Sequence, residues 1–127
     1  MREPKAEILQ GTLEMLVLRS LERASKHGYG IARWLEEVSE GLLQIEQGSL
    51  YPALYRMEEK GWVSARWDVT ELNRRAKFYS LTREGRERLG AEIEGWRRLV
   101  RAVGLVLSPG DRESAPDGGL PGPCFIP

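Results

Sequence analysis

The spacing of apolar residues changes from a helical to an alternating pattern at Gly61, and this change restricts the possible folds more than any other feature. Before Gly61, apolar residues recur every three or four positions, as one face of a helix requires. After it, the stretch Trp62–Val69 alternates in polarity, as a strand with one buried face does. The sequence therefore predicts helices followed by a small β structure.

Three short helices are predicted in the first sixty residues. They run from Glu7 to about Ala24, from about Tyr29 to Val38, and from Gly48 or Ser49 to Lys60. The start of the third helix is inferred from Pro52, which lacks an amide hydrogen and is tolerated in a first helical turn. Its end is inferred from Gly61, because glycine commonly follows the last residue of a helix.

Two strands and a long helix are predicted next. Trp62–Val69 and Lys77–Leu81 form a hairpin around a polar loop, with the parity of Val63, Ala65, Trp67 and Val69 facing the core. Thr82 is a suitable N-cap for a fourth helix that continues to about Leu107. Apolar residues along it are separated by 4, 3, 4, 3 and 4 positions: Leu89, Ile93, Trp96, Val100, Val103 and Leu107. This heptad seam predicts pairing with a second copy of the chain.

Composition suits a globular protein without a membrane segment. The 127 residues are 41% hydrophobic and 30% charged, which is enough for a single core. No apolar run approaches the roughly 18 residues of a membrane span, and the N-terminus lacks a signal cleavage site. We therefore expect a cytoplasmic protein. The stretch 108–127, rich in Pro and Gly, is predicted to be a disordered tail.

The chain has few of the cysteine and histidine side chains that many catalytic and metal sites need. A single cysteine, Cys124, cannot form an internal disulfide, and with a single histidine, His27, it cannot build a Cys/His metal site. No acid or nucleophile is spaced near His27 to form a catalytic set, so this side chain is expected to cap or pack. We predict no enzyme, catalytic residue, cofactor or metal.

Charge is balanced over the chain but is distributed unevenly along it. The 19 basic and 19 acidic residues give zero net charge, which argues against binding to nucleic-acid phosphates. However, residues up to Glu59 include seven basic and ten acidic side chains, whereas Lys60 to Arg88 include eight basic and four acidic ones. The positive sector coincides with the predicted hairpin and the start of the last helix.

Three helices followed by a hairpin is the element order of a winged helix–turn–helix, mainly α with a small β-hairpin. Three segments carry a more specific resemblance: His27–Ile31, Gly48–Glu58 and Lys77–Gly85. In sequence, order and spacing they resemble the hallmark segments of the PadR family of bacterial transcriptional regulators, over roughly Ile8 to Leu107.

The resemblance implies a homodimeric repressor that binds an inverted-repeat DNA operator. It places the DNA-binding domain in 1–81 and the dimerisation helix in 82–107. In some family members a small aromatic ligand releases the DNA, although this chain lacks the multi-helix C-terminal domain of longer members. The alternative is a winged-helix module that binds a protein and not DNA, which the zero net charge supports.

The third helix supplies the candidate contacts to double-stranded DNA. Its spacing turns Ser49, Pro52, Tyr55 and Arg56 away from the core face. Ser49 and Arg56 can bind a phosphate or a base edge. Tyr51 and Tyr55 can donate to phosphate, or can pack at the edge of the core.

The hairpin and the last helix supply the remaining candidates. Arg74, Arg75 and Lys77 lie where a wing would follow phosphates or enter the minor groove, although a charge cluster can also be only a solvated face. Trp96 on the heptad seam could stack on an aromatic effector, or could simply fill the dimer interface.

Overall fold

A computed structural model describes residues 10–109, and it confirms the predicted winged helix–turn–helix. The elements are α1 Gln10–Ser20, β1 Lys26–His27, α2 Gly28–Val38, α3 Gln47–Glu59, β2 Val63–Val69, β3 Arg75–Leu81 and α4 Arg83–Leu107. The first residues of the first predicted helix lie outside the described residues, as do Cys124 and the predicted tail from residue 110 onward.

The sheet has three strands in the order β1-β3-β2, where the sequence predicted only a hairpin. The additional strand, Lys26–His27, pairs antiparallel with Tyr79 and Phe78 of β3. The sequence does not predict this strand, because two residues are too few to show alternation. The pairing attaches the chain just before α2 to the inner edge of the hairpin.

The core lies between the helices and the inner end of the hairpin. The predicted inward face of α3 is confirmed: Leu50, Leu54 and Met57 are buried completely or almost completely. They pack against α1, α2 and β2, whose buried side chains include Leu13, Val17, Leu18, Ile31, Leu35 and Val63, and Tyr79 of β3 is buried as well. Full burial of such side chains stabilises a fold by about 1.5–3 kcal/mol each, so this core holds α3 in a fixed orientation.

Side-chain caps define the start of two helices. The amide of Gly30 donates to Nδ1 of His27 over 3.1 Å, which confirms His27 as the cap of α2. The amide of Gly85 donates to Oγ1 of Thr82 over 3.0 Å, which confirms Thr82 as the cap of α4. Each bond satisfies an amide that the first helical turn leaves without a backbone acceptor.

Helix α3 begins one residue earlier than predicted, at Gln47, and ends before Gly61 as expected. Pro52 is therefore the sixth residue of the helix and lies in its second turn. A proline there removes the amide that would bond to the carbonyl of Gly48. Gly48 is exposed, so this carbonyl is not left in the core.

The described residues fall into two compact units, one up to Gly90 and one from Ala91. Leu89 belongs to the first unit and is only 1% exposed within the chain itself. Its burial corrects the predicted seam, because a side chain already buried within one chain is not available to a second copy. The exposed part of the seam lies in the second unit.

Candidate nucleic-acid interface

The face of α3 opposite the core is open to solvent. Gly48, Ser49, Pro52 and Tyr55 are all exposed on it. Its N-terminal half, within residues 47–55, carries no charged side chain. Carboxylates flank this stretch: Glu46 is exposed just before the helix, and Glu59 is exposed near its end.

Tyr55 is the most prominent aromatic side chain on this face. A hydrogen bond with Glu59 raises the pKa of the Tyr55 phenol above its ordinary value of 10.0. In this arrangement the phenol proton of Tyr55 is directed to the Glu59 carboxylate. Its partner Glu59 lies one turn closer to the end of the helix, where it adds negative charge to the outward face.

Tyr51 packs against the start of α2. A Cβ atom added to Gly28 would lie 2.6 Å from its hydroxyl oxygen, so only glycine leaves room for this ring. The contact fixes α2 against α3 and explains why a glycine follows His27. Of the two alternatives for Tyr51, packing is the one that this contact supports, although the ring remains partly exposed.

Arg56 does not lie free on the outward face. Its Nε donates to a carboxylate oxygen of Glu14 in α1 over 3.3 Å, and the two side chains are 35% and 13% exposed. This placement differs from the predicted base contact because Arg56 lies at the margin of the core face, within reach of α1. A move to DNA would leave the largely buried Glu14 unpaired, which is costly.

The loop of the wing is built around Thr70. Its hydroxyl accepts hydrogen bonds from the amides of Leu72 and Arg74, at 3.2 and 3.3 Å. Asn73 takes a left-handed conformation with φ of 61°, which asparagine tolerates better than most residues. This tight turn presents Arg74 and Arg75 to solvent.

The three predicted wing cations have different surroundings. Arg74 is exposed in the loop, and Arg75 lies over the ring of Trp67 at 5.3 Å. Lys77 donates to Oε1 of Glu58 in α3 over 3.2 Å, and this bond raises the pKa of Lys77. The side chains of Arg74 and Arg75 are therefore exposed to solvent, whereas Lys77 forms an ion pair that connects the wing to α3.

Sequence reasoning missed two exposed side chains near this surface. Gln47 is exposed in the first turn of α3 and was left out because the helix was predicted to start one residue later. Trp67 was assigned to the buried parity of β2, yet it is 59% exposed. Only the inner end of β2 reaches the core, so alternation alone could not show where burial stops.

The second unit exposes a continuous apolar strip on α4. The large apolar side chains exposed on it are Trp96, Leu99, Val103, Val106 and Leu107. Ile93 and Val100 of the predicted seam are half-buried. Leu99 and Val106 were absent from the prediction, and they widen the strip beyond the two positions per heptad of a narrow coiled-coil seam.

Residues 10–109 contain neither a membrane-spanning helix nor a cluster of metal ligands. No helix there has the length and apolarity to span a membrane. Nor does that part of the chain bring three His, Cys, Asp or Glu side chains together as metal ligands would require.

Comparisons with known proteins agree with this geometry. Residues 17–91, more than half of the chain, match the family model described as the transcriptional regulator PadR-like family. A PadR family transcriptional regulator of known structure from Eggerthella lenta is 33% identical, with a TM-score of 0.66; the match covers 77% of this chain and 83% of that one. A PadR family transcription regulator of known structure from Clostridium difficile is 30% identical, with a TM-score of 0.65. The match covers 75% of this chain and 97% of that one.

A third solved structure is similar to this chain in fold, at a lower sequence identity. It is a transcriptional regulator from Clostridium thermocellum, 22% identical, with a TM-score of 0.69, over 77% of this chain and 95% of that one. The family match spans the winged helix–turn–helix with its outward α3 face and its basic wing. The chain therefore belongs to the PadR-like family, whose members are DNA-binding transcriptional regulators and not enzymes.

Proposed function

We propose that this chain represses transcription as a homodimer that binds an inverted-repeat operator. In this proposal, α3 enters the major groove and the wing follows the phosphate backbone. Two copies related by a twofold axis read two half-sites, and occupancy of the operator blocks initiation. The observation that carries the proposal is the uncharged, exposed N-terminal half of α3 beside a wing with two outward arginines.

Within this interface the side chains have separate tasks. Ser49, Pro52 and Tyr55 lie where a recognition helix meets base edges and phosphates. Arg74 and Arg75 neutralise phosphates beside the groove. Tyr51 and Lys77 hold α3 against α2 and the wing, and Arg56 holds α3 against α1 through Glu14.

The exposed strip on α4 supports the homodimer. In a lone chain, Val106 is 80% exposed and four other large apolar side chains lie beside it in solvent. Burial of apolar surface is worth about 25 cal/mol per Å², so a partner strip of the same kind stabilises this one. A second copy of the chain supplies such a strip by symmetry.

A small aromatic effector is part of the proposal, with Trp96 as its contact. The ring of Trp96 is partly exposed on the α4 strip and can stack against a planar ligand. Ligand binding at a dimer interface can alter the spacing of the two α3 helices. If Trp96 serves only to fill the interface, changing it to Phe should leave any ligand-induced release of DNA unaltered.

Selection of bound sequences from a randomised duplex library tests the proposed function without knowledge of the operator. We expect enrichment of an inverted repeat whose half-site centres are separated by about one helical turn, 10–10.5 base pairs, or a multiple of it. Enrichment of a single unrepeated site would contradict the dimeric arrangement. Absence of any enrichment would favour the protein-binding alternative.

A further inference from the structure

An exposed tryptophan on the wing has no role in the proposed function. Trp67 is 59% exposed and Val69 beside it is also exposed, whereas Val63 at the inner end of the same strand is buried. Large exposed apolar side chains that cluster beside charged ones commonly mark contact sites. We propose that Trp67 is a DNA-contacting residue, whose indole packs on the deoxyribose backbone next to the phosphate bound by Arg75.

The register of the hairpin gives the direction of the indole. Residues directly opposite in an antiparallel pair share a face of the sheet, and Trp67 lies opposite Lys77. Lys77 in turn binds Glu58 of α3 over 3.2 Å. The indole thus lies on the face of the wing that looks toward α3, where DNA held by α3 would meet the hairpin.

The surroundings of the indole suit a nucleic acid better than an apolar protein surface. The guanidinium of Arg75 lies 5.3 Å from the ring centre, in a cation–π contact. An apolar plane beside a fixed positive charge matches a deoxyribose beside its phosphate. An apolar protein partner would instead leave the charges of Arg74 and Arg75 unpaired at the edge of the interface.

This inference rests on the proposed function, and fluorine NMR can test it directly. The full chain is labelled with 5-fluorotryptophan, which reports on all four tryptophans, and the Trp67 signal is assigned by Trp67→Phe. A duplex selected from the random library is then added. We expect the Trp67 signal to shift as DNA saturates the protein. An unchanged Trp67 signal, under conditions where the protein demonstrably binds the duplex, would overturn the inference and leave the proposed function standing.

Affinity measurements separate an apolar contact from an ionic one. Trp67→Ala should weaken binding because the apolar surface that the indole buries on the sugar is lost, and it should leave the salt dependence of binding unchanged. Arg75→Ala should instead lower the slope of log affinity against log salt by about one. The matched control is Val38→Ala, because Val38 is equally exposed, at 58%, but lies at the end of α2.

Two further results complete the test. Trp67→Phe should retain most of the affinity because it keeps a ring beside Arg75, and equal loss in the Phe and Ala variants would contradict packing on the sugar. Wild-type affinity in a folded Trp67→Ala variant would assign this patch to another partner and refute the inference. Failure of the wild-type chain to bind any duplex would instead refute the proposed function itself.

Discussion

The ion pair between Arg56 and Glu14 connects α3 to α1. Because Glu14 is only 13% exposed, removal of its partner leaves a poorly hydrated carboxylate. We expect Arg56→Ala to lower the free energy of unfolding by about 1–2 kcal/mol, measured by urea denaturation. The control is Arg19→Ala, whose partner Glu22 forms a more exposed pair within α1 and its C-terminal turn, so that its removal should cost under about 0.5 kcal/mol.

The same variants distinguish a positioning role from base recognition. If Arg56 positions α3, Arg56→Ala should bind operator and random DNA with similar relative losses. A variant of normal stability that loses only its preference for the operator would contradict our assignment and restore Arg56 as a base-contacting residue.

The third segment that resembles the PadR family ends at Gly85, and a close backbone contact explains why a glycine stands there. A Cβ atom at this position would lie 2.0 Å from the carbonyl oxygen of Trp62, which is backbone and cannot simply rotate away. We expect Gly85→Ala to destabilise the protein by more than about 2 kcal/mol in thermal or urea unfolding.

Gly90→Ala is the matched control for that prediction. Gly90 lies five residues further along α4, and its added Cβ would meet nothing within 4 Å. Alanine is favoured over glycine inside a helix by roughly 0.5–1 kcal/mol, so Gly90→Ala should raise stability. Equal destabilisation by both variants would show that helix conformation, and not the contact with Trp62, limits position 85.

The contribution of the wing to DNA binding can be measured separately from that of α3. Phosphate contacts provide affinity that is independent of sequence, whereas base contacts provide discrimination. Changing Arg74 and Arg75 together to Ala should flatten the slope of log affinity against log salt by about two, one for each lost contact. Preference for the selected duplex over random DNA should survive. Arg19→Ala again serves as the control. If the slope of log affinity against log salt is unchanged in the Arg74/Arg75 double variant, the wing does not contact DNA.

The helices and the hairpin could be predicted because their signals are local. Amphipathic spacing placed α2 and α3 almost correctly, and the capping chemistry of Thr82 and the glycine after α3 marked helix ends. The outward positions of Ser49, Pro52 and Tyr55 followed from the same spacing. These properties depend on residues within one or two turns, which a single sequence contains.

The errors arise where a partner distant in sequence decides the outcome. Strand β1 exists because β3 lies beside it, and Arg56 turns to α1 because Glu14 is there. Leu89 fits the heptad repeat, yet it is buried within its own chain. In each case the spacing of residues within one segment could not show which distant part of the molecule would contact it.

The proposed assembly of two chains depends on the exposed strip of α4. We expect wild-type protein to sediment at twice the 14.4 kDa mass of the chain at micromolar concentration. Changing Leu99 and Val103 together to Asp places two charges in the strip and should yield monomers with much weaker operator binding. The control is Arg101→Asp, because Arg101 is exposed on the side of α4 opposite these residues. A Leu99/Val103 variant that remains dimeric would show that the chains pair through another surface.

Sequence-specific DNA binding is the central claim, and the ratio of two affinities tests it most directly. The full chain is titrated, by fluorescence anisotropy at fixed salt, with the selected inverted-repeat duplex and with a shuffled duplex of the same composition. The account predicts that the inverted repeat binds at least about a thousandfold more tightly, within the range typical of specific regulators. Equal affinity for the two duplexes would contradict it, because an exposed α3 face that reads base edges cannot treat them alike.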